Sequence, residues 1–434
     1  MITGQGAAAI GDSVEADVRA GRLRPGDRLP PVRSLAGRLG VSPTTVASAY
    51  RALRLRGLVT ASGRRGTRVA ARPPIAAGGA PAPAPAARQL WVGNPDPDLL
   101  PDLGPILARL GGSKRLYGEA PNRPELLELA AAAFRDDAIT ADHLAVVGGA
   151  LDGLERCLGA HLRPGDRVLV EDPGYAAVFD LVAALGLEAA PVGLDDQGPL
   201  PADVARALRG RTAAVIFTPR AQNPFGSAYD PARVRDLRRL LAGHPELLVI
   251  EDDHAGPVAG ARALSVTRGR RRWAVVRSVS KSLGPDLRLA VMAGDPVTVS
   301  RVEGRQQIGA GWVSHVLQRT VVELWSDPAT RRLLERADAE YARRREEVAG
   351  ALRRVGFAAH ARSGLNVWVP VPDEAAAVGR LAAAGWAVAP GERYRIASGP
   401  AIRISIGSLR SGEAEQMAAA MAAGARSPIL TRSA

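Results

Sequence analysis

An α/β protein in two bodies is predicted: a small, mostly helical N-terminal head and a larger body built on a mostly parallel sheet. Three observations predict it. Residues 73–88 run Pro-Pro-Ile-Ala-Ala-Gly-Gly-Ala-Pro-Ala-Pro-Ala-Pro-Ala-Ala-Arg, a composition that builds no core. From residue 89 onward, apolar strand-like runs alternate with Ala/Leu/Arg-rich helical stretches, the pattern of an α/β sheet. Charge is also uneven. Residues 1–90 hold 14 arginines, no lysine and 4 acidic residues, a net of +10, whereas the remainder nets only +3.

At 434 residues the chain exceeds one ordinary core. With 46% hydrophobic and 23% charged residues it reads as globular. No apolar run reaches the ~18 residues of a membrane span, so no membrane partner is expected. The N-terminal stretch has no basic segment followed by an apolar one, so no secretory signal is expected. Cys157 is the sole cysteine and cannot form an internal disulfide, which fits a reducing cytoplasm. It reads as a small buried residue on a helix. A basic head on a nearly neutral body is an electrostatic footprint for nucleic acid. No metal site and no internal repeat are expected.

Residues 1–72 form the head. Val32, Leu35, Ala36 and Leu39 recur at helical spacing within Pro31–Leu39, and Gly40-Val41 makes a turn. Ser42 is placed as an N-cap with Pro43 at the first helical position. Val46, Ala49, Tyr50 and Leu53 then give one buried face, and Thr44, Thr45, Ser48 and Arg51 the opposite one. Gly57 ends the helix. Two short strands, Leu58–Ala61 and Thr67–Ala70, flank the basic tip Ser62-Gly63-Arg64-Arg65-Gly66. Helix, turn, helix and basic hairpin outline a winged helix-turn-helix. Its second helix would enter the major groove, and wing arginines Arg64 and Arg65 would meet phosphate or the minor groove. Residues 24–69 resemble the GntR-type winged-helix domain. The resemblance implies that Arg33, Thr44, Thr45 and the wing around Gly66 touch DNA, with Ser42 and Arg51 beside them. Pro43 stands where members often carry Arg.

The linker's alternating Pro-Ala favours polyproline II, reaching roughly 50 Å at ~3.1 Å per residue. Beyond it, five apolar runs read as strands: Leu144–Val147, Arg167–Val170, Ala214–Phe217, Leu247–Ile250 and Trp273–Val276. Each is followed at once by polar chemistry. Ligands of open parallel sheets bind beyond the carboxyl ends of the strands, so the five clusters should converge on one crevice.

Gly148-Gly149-Ala150-Leu151 opens a helix through His161, and amides at a helix start make an anion site. The chain has only two lysines, Lys114 and Lys281, amid many arginines. Arginine replaces lysine as a surface charge but forms no Schiff base, which singles out Lys281 in Arg-Ser-Val-Ser-Lys-Ser. Asp252, ending a strand, is suited to pair with a protonated pyridine nitrogen. Asn223 is suited to a ring phenolate, and Tyr175 to stack on a flat ring or point its hydroxyl at it. Arg288 is suited to neutralise a phosphate. Ile402, Ile404 and Ile406 alternate with Arg403 and Ser405, predicting a strand with one buried face that aims Arg403 the other way, toward a ligand carboxylate.

In order along the chain, Tyr117, Gly149-Ala150, Asp-Pro-Gly-Tyr175, Asn223-Pro-x-Gly, Asp252, Ser-x-Ser-Lys281 and Arg403 resemble the motifs of fold-type I aminotransferases across roughly residues 90–425. With the GntR-like head, the whole chain resembles the MocR subfamily of regulators. The resemblance implies a large pyridoxal 5'-phosphate (PLP) domain over 89–330 and a smaller C-terminal α+β domain over 331–425. It implies that Lys281 forms the Schiff base, Asp252 holds the pyridine nitrogen and Asn223 meets the phenolic oxygen. Ser278, Ser280, Arg288 and the amides at Gly149-Ala150 would hold the phosphate. Tyr117 would reach the phosphate of the partner subunit in a homodimer, and Arg403 would take an effector carboxylate. His254 stands where the family usually has Tyr, beside the ring oxygen. Ala177 stands at a position that can hold a second carboxylate, which argues against a doubly clamped ligand. Two readings follow: a DNA-binding regulator sensing PLP or an amine or amino-acid effector, without physiological turnover, or an active aminotransferase with a DNA-binding appendage.

Overall fold

The computed structural model describes residues 2–55, 57–61, 66–70, 87–110 and 115–423. Arg64, Arg65, Lys114 and linker residues 73–86 lie outside the described residues. The chain divides into two compact units: residues 1–81 with 162–168 and 176–190, and residues 82–161, 169–175 and 191–434.

In the head, helices Ala7–Arg19, Val32–Leu39 and Pro43–Leu55 precede the antiparallel pair Val59–Ala61 and Thr67–Val69. Gly40 takes φ 66°, the left-handed conformation that ends a helix and frees the chain to turn. The Ser42 hydroxyl accepts from the Thr45 amide at 3.1 Å, as the N-cap spacing predicts. Val46, Ala49 and Leu53 are fully buried against Ile10, Val14, Leu35 and Val69. Tyr50 packs with them and donates its hydroxyl to the Pro30 carbonyl at 2.8 Å, tying the third helix to the chain before the second. The helix Ala7–Arg19, which the patterning above does not single out, supplies one wall of this core.

A sheet of eight strands has the order 144–147, 290–294, 273–278, 248–253, 214–217, 167–172, 188–195 and 198–199. The first, third, fourth and fifth of these run in one direction, and Ala290–Gly294 runs against its two neighbours. That reversed strand is absent from the five expected runs. All five of those appear, three of them extending further than expected, as Arg167–Asp172, Leu248–Asp253 and Trp273–Ser278. The extensions carry the polar clusters onto the strand ends themselves. Cys157 lies fully buried on the helix Ala150–His161, and burial pushes its thiol up to about 12.

Residues 328–423 form a second layered core. The 27-residue helix Pro328–Arg354 and the helices Glu374–Ala383 and Glu413–Ala423 cover a sheet in the order 366–370, 401–405, 389–390. Ile402, Ile404 and Ile406 are fully buried there. Among the described residues, no helix is long and apolar enough to cross a membrane.

Candidate functional site

Five separate strand ends meet in one cavity of about 330 Å³, a volume suited to a small organic ligand. Ala150, Tyr175, Asn223, Asp252 and Lys281, one residue from each expected cluster, line it. His254, Ser278, Ser280, Arg288 and Arg403 complete its polar wall.

Lys281 is largely enclosed. Its Nζ donates to the Gly93 carbonyl at 2.6 Å. Burial, and then repulsion from Arg403, pull the amine down to about 8 against an attraction from Asp252. Asp252 is 5% exposed, and its Oδ1 is buried with no hydrogen-bond partner. Burial and the neighbouring Asp253 push this carboxyl up to about 7, while Lys281 opposes the rise. A buried carboxylate oxygen without a partner costs free energy unless a ligand donor or cation meets it. The Asp253 carboxylate, in contrast, is held well below the ordinary range despite burial. Arg220 Nε and Nη2 donate to it at 2.8 Å each, and Arg277 Nε at 2.6 Å. Strand alternation separates the two acids: Asp253 is spent on structure and Asp252 faces the cavity. His254 is held neutral, its pKa lowered to about 4 chiefly by burial.

A cradle for an anion lies at the end of Leu144–Val147. Gly149 has φ 102°, and a Cβ there would come 3.0 Å from Arg288 Nη2, so glycine is required. The expected role of its amide needs correction. Gly149 N donates to the Val147 carbonyl at 2.9 Å, closing a tight turn, so the helix-start donors are those of Ala150 and Leu151, both on the cavity wall. The Ser278 and Ser280 hydroxyls lie 2.9 Å apart beside them.

Arg403 corrects a second expectation. Its strand, Ala401–Ser405, is buried on both faces rather than one, and Arg403 is 4% exposed. The second face is the cavity wall. Arg403 Nη1 donates to Asn223 Oδ1 at 3.1 Å, Nη2 donates to the Trp91 carbonyl, and the guanidinium lies 4.5 Å over the Tyr394 ring. Its Nε is buried without a partner. The loop that carries Asn223 is held on both sides by Ser363, whose hydroxyl accepts from the Ala221 amide at 2.8 Å and donates to the Ser227 carbonyl at 2.8 Å.

Tyr117 is not brought to this cavity. It is 92% exposed and meets Trp312 edge-on at 5.4 Å between ring centroids. The patterning also misses Trp91–Asn94, Arg393 and Tyr394, which line the cavity. Neither segment carries a periodic or motif signal. On the head, Arg33, Ser42, Thr44 and Arg51 are exposed. Ser42 and Thr45 share a hydroxyl contact at 2.8 Å, leaving Arg33, Thr44 and Arg51 as the outward groups. Gly66 has φ 82° and abuts the Arg28 side chain.

Comparison with known proteins agrees with both halves. The family described as aminotransferase class I and II matches residues 90–421, and that of bacterial regulatory proteins, gntR family, matches residues 7–69. The vitamin B6 salvage pathway transcriptional repressor PtsJ of Salmonella typhimurium is 40% identical over 423 residues, covering 96% of this chain and 98% of that protein. The HTH-type transcriptional regulator TauR of Rhodobacter capsulatus is 27% identical over 425 residues, covering 87% of each. Among solved structures, a Thermus thermophilus aspartate aminotransferase mutant superposes with a TM-score of 0.68 at 25% identity, covering 77% of this chain and 96% of that one.

Proposed function

This chain belongs to the aminotransferase class I and II family and carries a gntR-family head, and on that premise we propose that it is a MocR-type transcription regulator whose DNA binding answers to its PLP-binding pocket. Residues 1–72 read DNA, 73–88 tether, and 89–330 with 331–425 form the two lobes of the sensor. The protein works in the cytoplasm as a homodimer. PLP is the cofactor, and when bound it supplies a conjugated ring that withdraws electrons from an attached amine.

The observation that carries the reading is the pairing of Lys281 with the orphaned Asp252 oxygen in one cavity. Lys281, its amine pulled down to about 8, would offer the aldehyde a larger neutral fraction than an ordinary lysine does. Asp252, with its unpartnered Oδ1, would hold a protonated ring nitrogen, and that cation would favour the charged carboxylate. Ser278, Ser280, Arg288 and the start of the helix Ala150–His161 take the phosphate. Asn223 and the neutral His254 flank the ring oxygen, with Tyr175 against the ring. Arg403 holds an effector carboxylate. Exposed Tyr117 completes the partner's phosphate site, which makes the dimer part of the sensor.

PtsJ represses vitamin B6 salvage, so PLP itself is the first effector to test, followed by amino acids. Bias between two DNA-binding states requires an effector that interacts differently with each. Operator binding by the full-length protein, with and without PLP and amino acids, should shift by about 5–150-fold, the usual range of allosteric coupling. No shift with any of them, alongside rapid steady-state transamination, would favour the enzyme reading. That second reading rests on the complete set of pocket residues.

A further inference from the structure

The cavity has more positive charge than the cofactor uses. Lys281, Arg288, Arg393 and Arg403 line it, and Asp252 is the acid among its lining residues. In the reading above, Lys281 is taken by the aldehyde, Arg288 by the phosphate and Asp252 by the ring nitrogen. Two guanidiniums remain. Burial pushes the Arg403 guanidinium below its ordinary value, and the like charge of Arg393 adds to that. A ligand with a single carboxylate relieves only one of them.

Arg393 stands on a pinned turn. Glu392 N donates to Glu374 Oε2 at 2.9 Å and Arg395 Nε donates to Glu374 Oε1 at 2.8 Å. The Tyr394 carbonyl accepts from Gly174 N at 2.7 Å. The amides of Ile396, Ala397 and Ser398 all donate to the Asp172 carboxylate. A Cβ at Gly391 would sit 2.3 Å from the Ala401 carbonyl, so backbone meets backbone there. The chain on both sides of Arg393 is therefore held, and Tyr394 lies under Arg403. Yet the Arg393 guanidinium makes no ion pair or hydrogen bond among the described residues. Arg393 is itself exposed, and its charge stands at the cavity wall without a protein partner among the described residues.

We propose that Arg393 is a second anion clamp and that the effector of this pocket is an amino acid bearing a second anionic group, an acidic side chain rather than a neutral one. This rests on the reading of the cavity as a PLP site with Arg403 on the α-carboxylate. It also replaces the expectation drawn from Ala177: the second cation comes from the Gly391–Tyr394 turn instead. Arg393 acts on ligand choice.

The test uses the full-length protein loaded with PLP. Aspartate against asparagine, and glutamate against glutamine, are titrated through the visible absorption band, and succinate binding is followed by calorimetry. Hydrogen-bonded charge pairs of this kind correspond to about tenfold or more in affinity, so each acid should bind at least about tenfold more tightly than its amide. Arg393→Gln should bring that ratio below about threefold and weaken succinate by a similar factor, and Arg393→Lys should restore most of the preference. An equal affinity of acid and amide in the wild type, or a preference that survives Arg393→Gln, overturns the proposal. Failure of the wild type to show the visible band, or its failure to form a borohydride-stable adduct at Lys281, overturns the underlying reading instead.

Discussion

Burial lowers Lys281 from 10.5 to about 8, and that shift sets how fast the pocket captures its cofactor. At pH 7, a lysine of ordinary pKa is neutral in about one molecule in 3,000, whereas Lys281 is neutral in about one in ten. The supply of nucleophile is therefore about 300-fold greater, an upper bound on the gain because a less basic amine attacks somewhat more slowly. Apo protein mixed with PLP and followed by stopped-flow absorbance should link at a rate that rises with pH to a break near about 8, then flattens. The causes of the shift predict two opposite displacements. Arg403→Gln removes a repelling cation, so the break moves up and linking at pH 7 slows. Asp252→Asn removes an attracting anion, so the break moves down. A wild-type break above about pH 10, or two variants that move it in the same direction, would refute the account of Lys281 as a desolvated amine between Arg403 and Asp252.

Three further outcomes are expected. Glu251 is fully buried, with Oε2 unpartnered, and burial raises it from 4.5 to about 7. The folded state then holds a proton that the unfolded state releases, so stability falls as pH rises from about 4.5 through 7, by at most about 3 kcal/mol. Glu251→Gln should flatten that slope in urea unfolding compared across this range, and an unchanged slope would show that Glu251 does not titrate as described. Asp253→Ala takes from the Arg220 guanidinium its ion-pair partner and leaves Arg277 with Asp137 alone, both arginines being under a tenth exposed, and should cost about 3–5 kcal/mol by urea denaturation; a loss below about 1 kcal/mol would mean that Asp137 and neighbouring carbonyls suffice for the two arginines. On the head, Arg33→Ala should weaken operator binding by about 1–3 kcal/mol if Arg33 reads a base, and should lower the salt slope by about one if it meets phosphate. No change in either quantity in gel-shift titrations would remove Arg33 from the interface.

Much of the site was legible because its chemistry sits at strand ends, where local pattern and tertiary position coincide. The runs Leu144–Val147 and Ala214–Phe217 are strands with the expected bounds, and the polar residues after all five runs reach one cavity. Lys281 was conspicuous because a chain rich in arginine keeps only two lysines, and a Schiff base needs an amine. The head was legible through helix spacing, the Ser42 cap and the glycine turns, all local signals.

What stayed hidden depends on contacts between distant segments. The alternation of Ile402, Ile404 and Ile406 predicts a half-buried strand, because a period of two reports only that one face is apolar. The other face is closed by Trp91 and Asn223, so Arg403 is buried too. The strand Ala290–Gly294 enters antiparallel between two strands that run together, a direction set by chain connectivity. Arg393 carries no motif, and only the anchoring of its turn by Glu374 and Asp172 brings its charge to the cavity. By itself, then, the sequence determined the residue types, the order of the elements and which strand ends carry chemistry, because caps, periodicity and composition act over a few neighbours. The tertiary structure decided which of those side chains are left unpaired: Asp252 open to the cavity while Asp253 is consumed by two arginines, and Arg393 unmatched beside Arg403. Whether a charge finds a partner depends on segments tens to hundreds of residues away in sequence, and no local pattern records it.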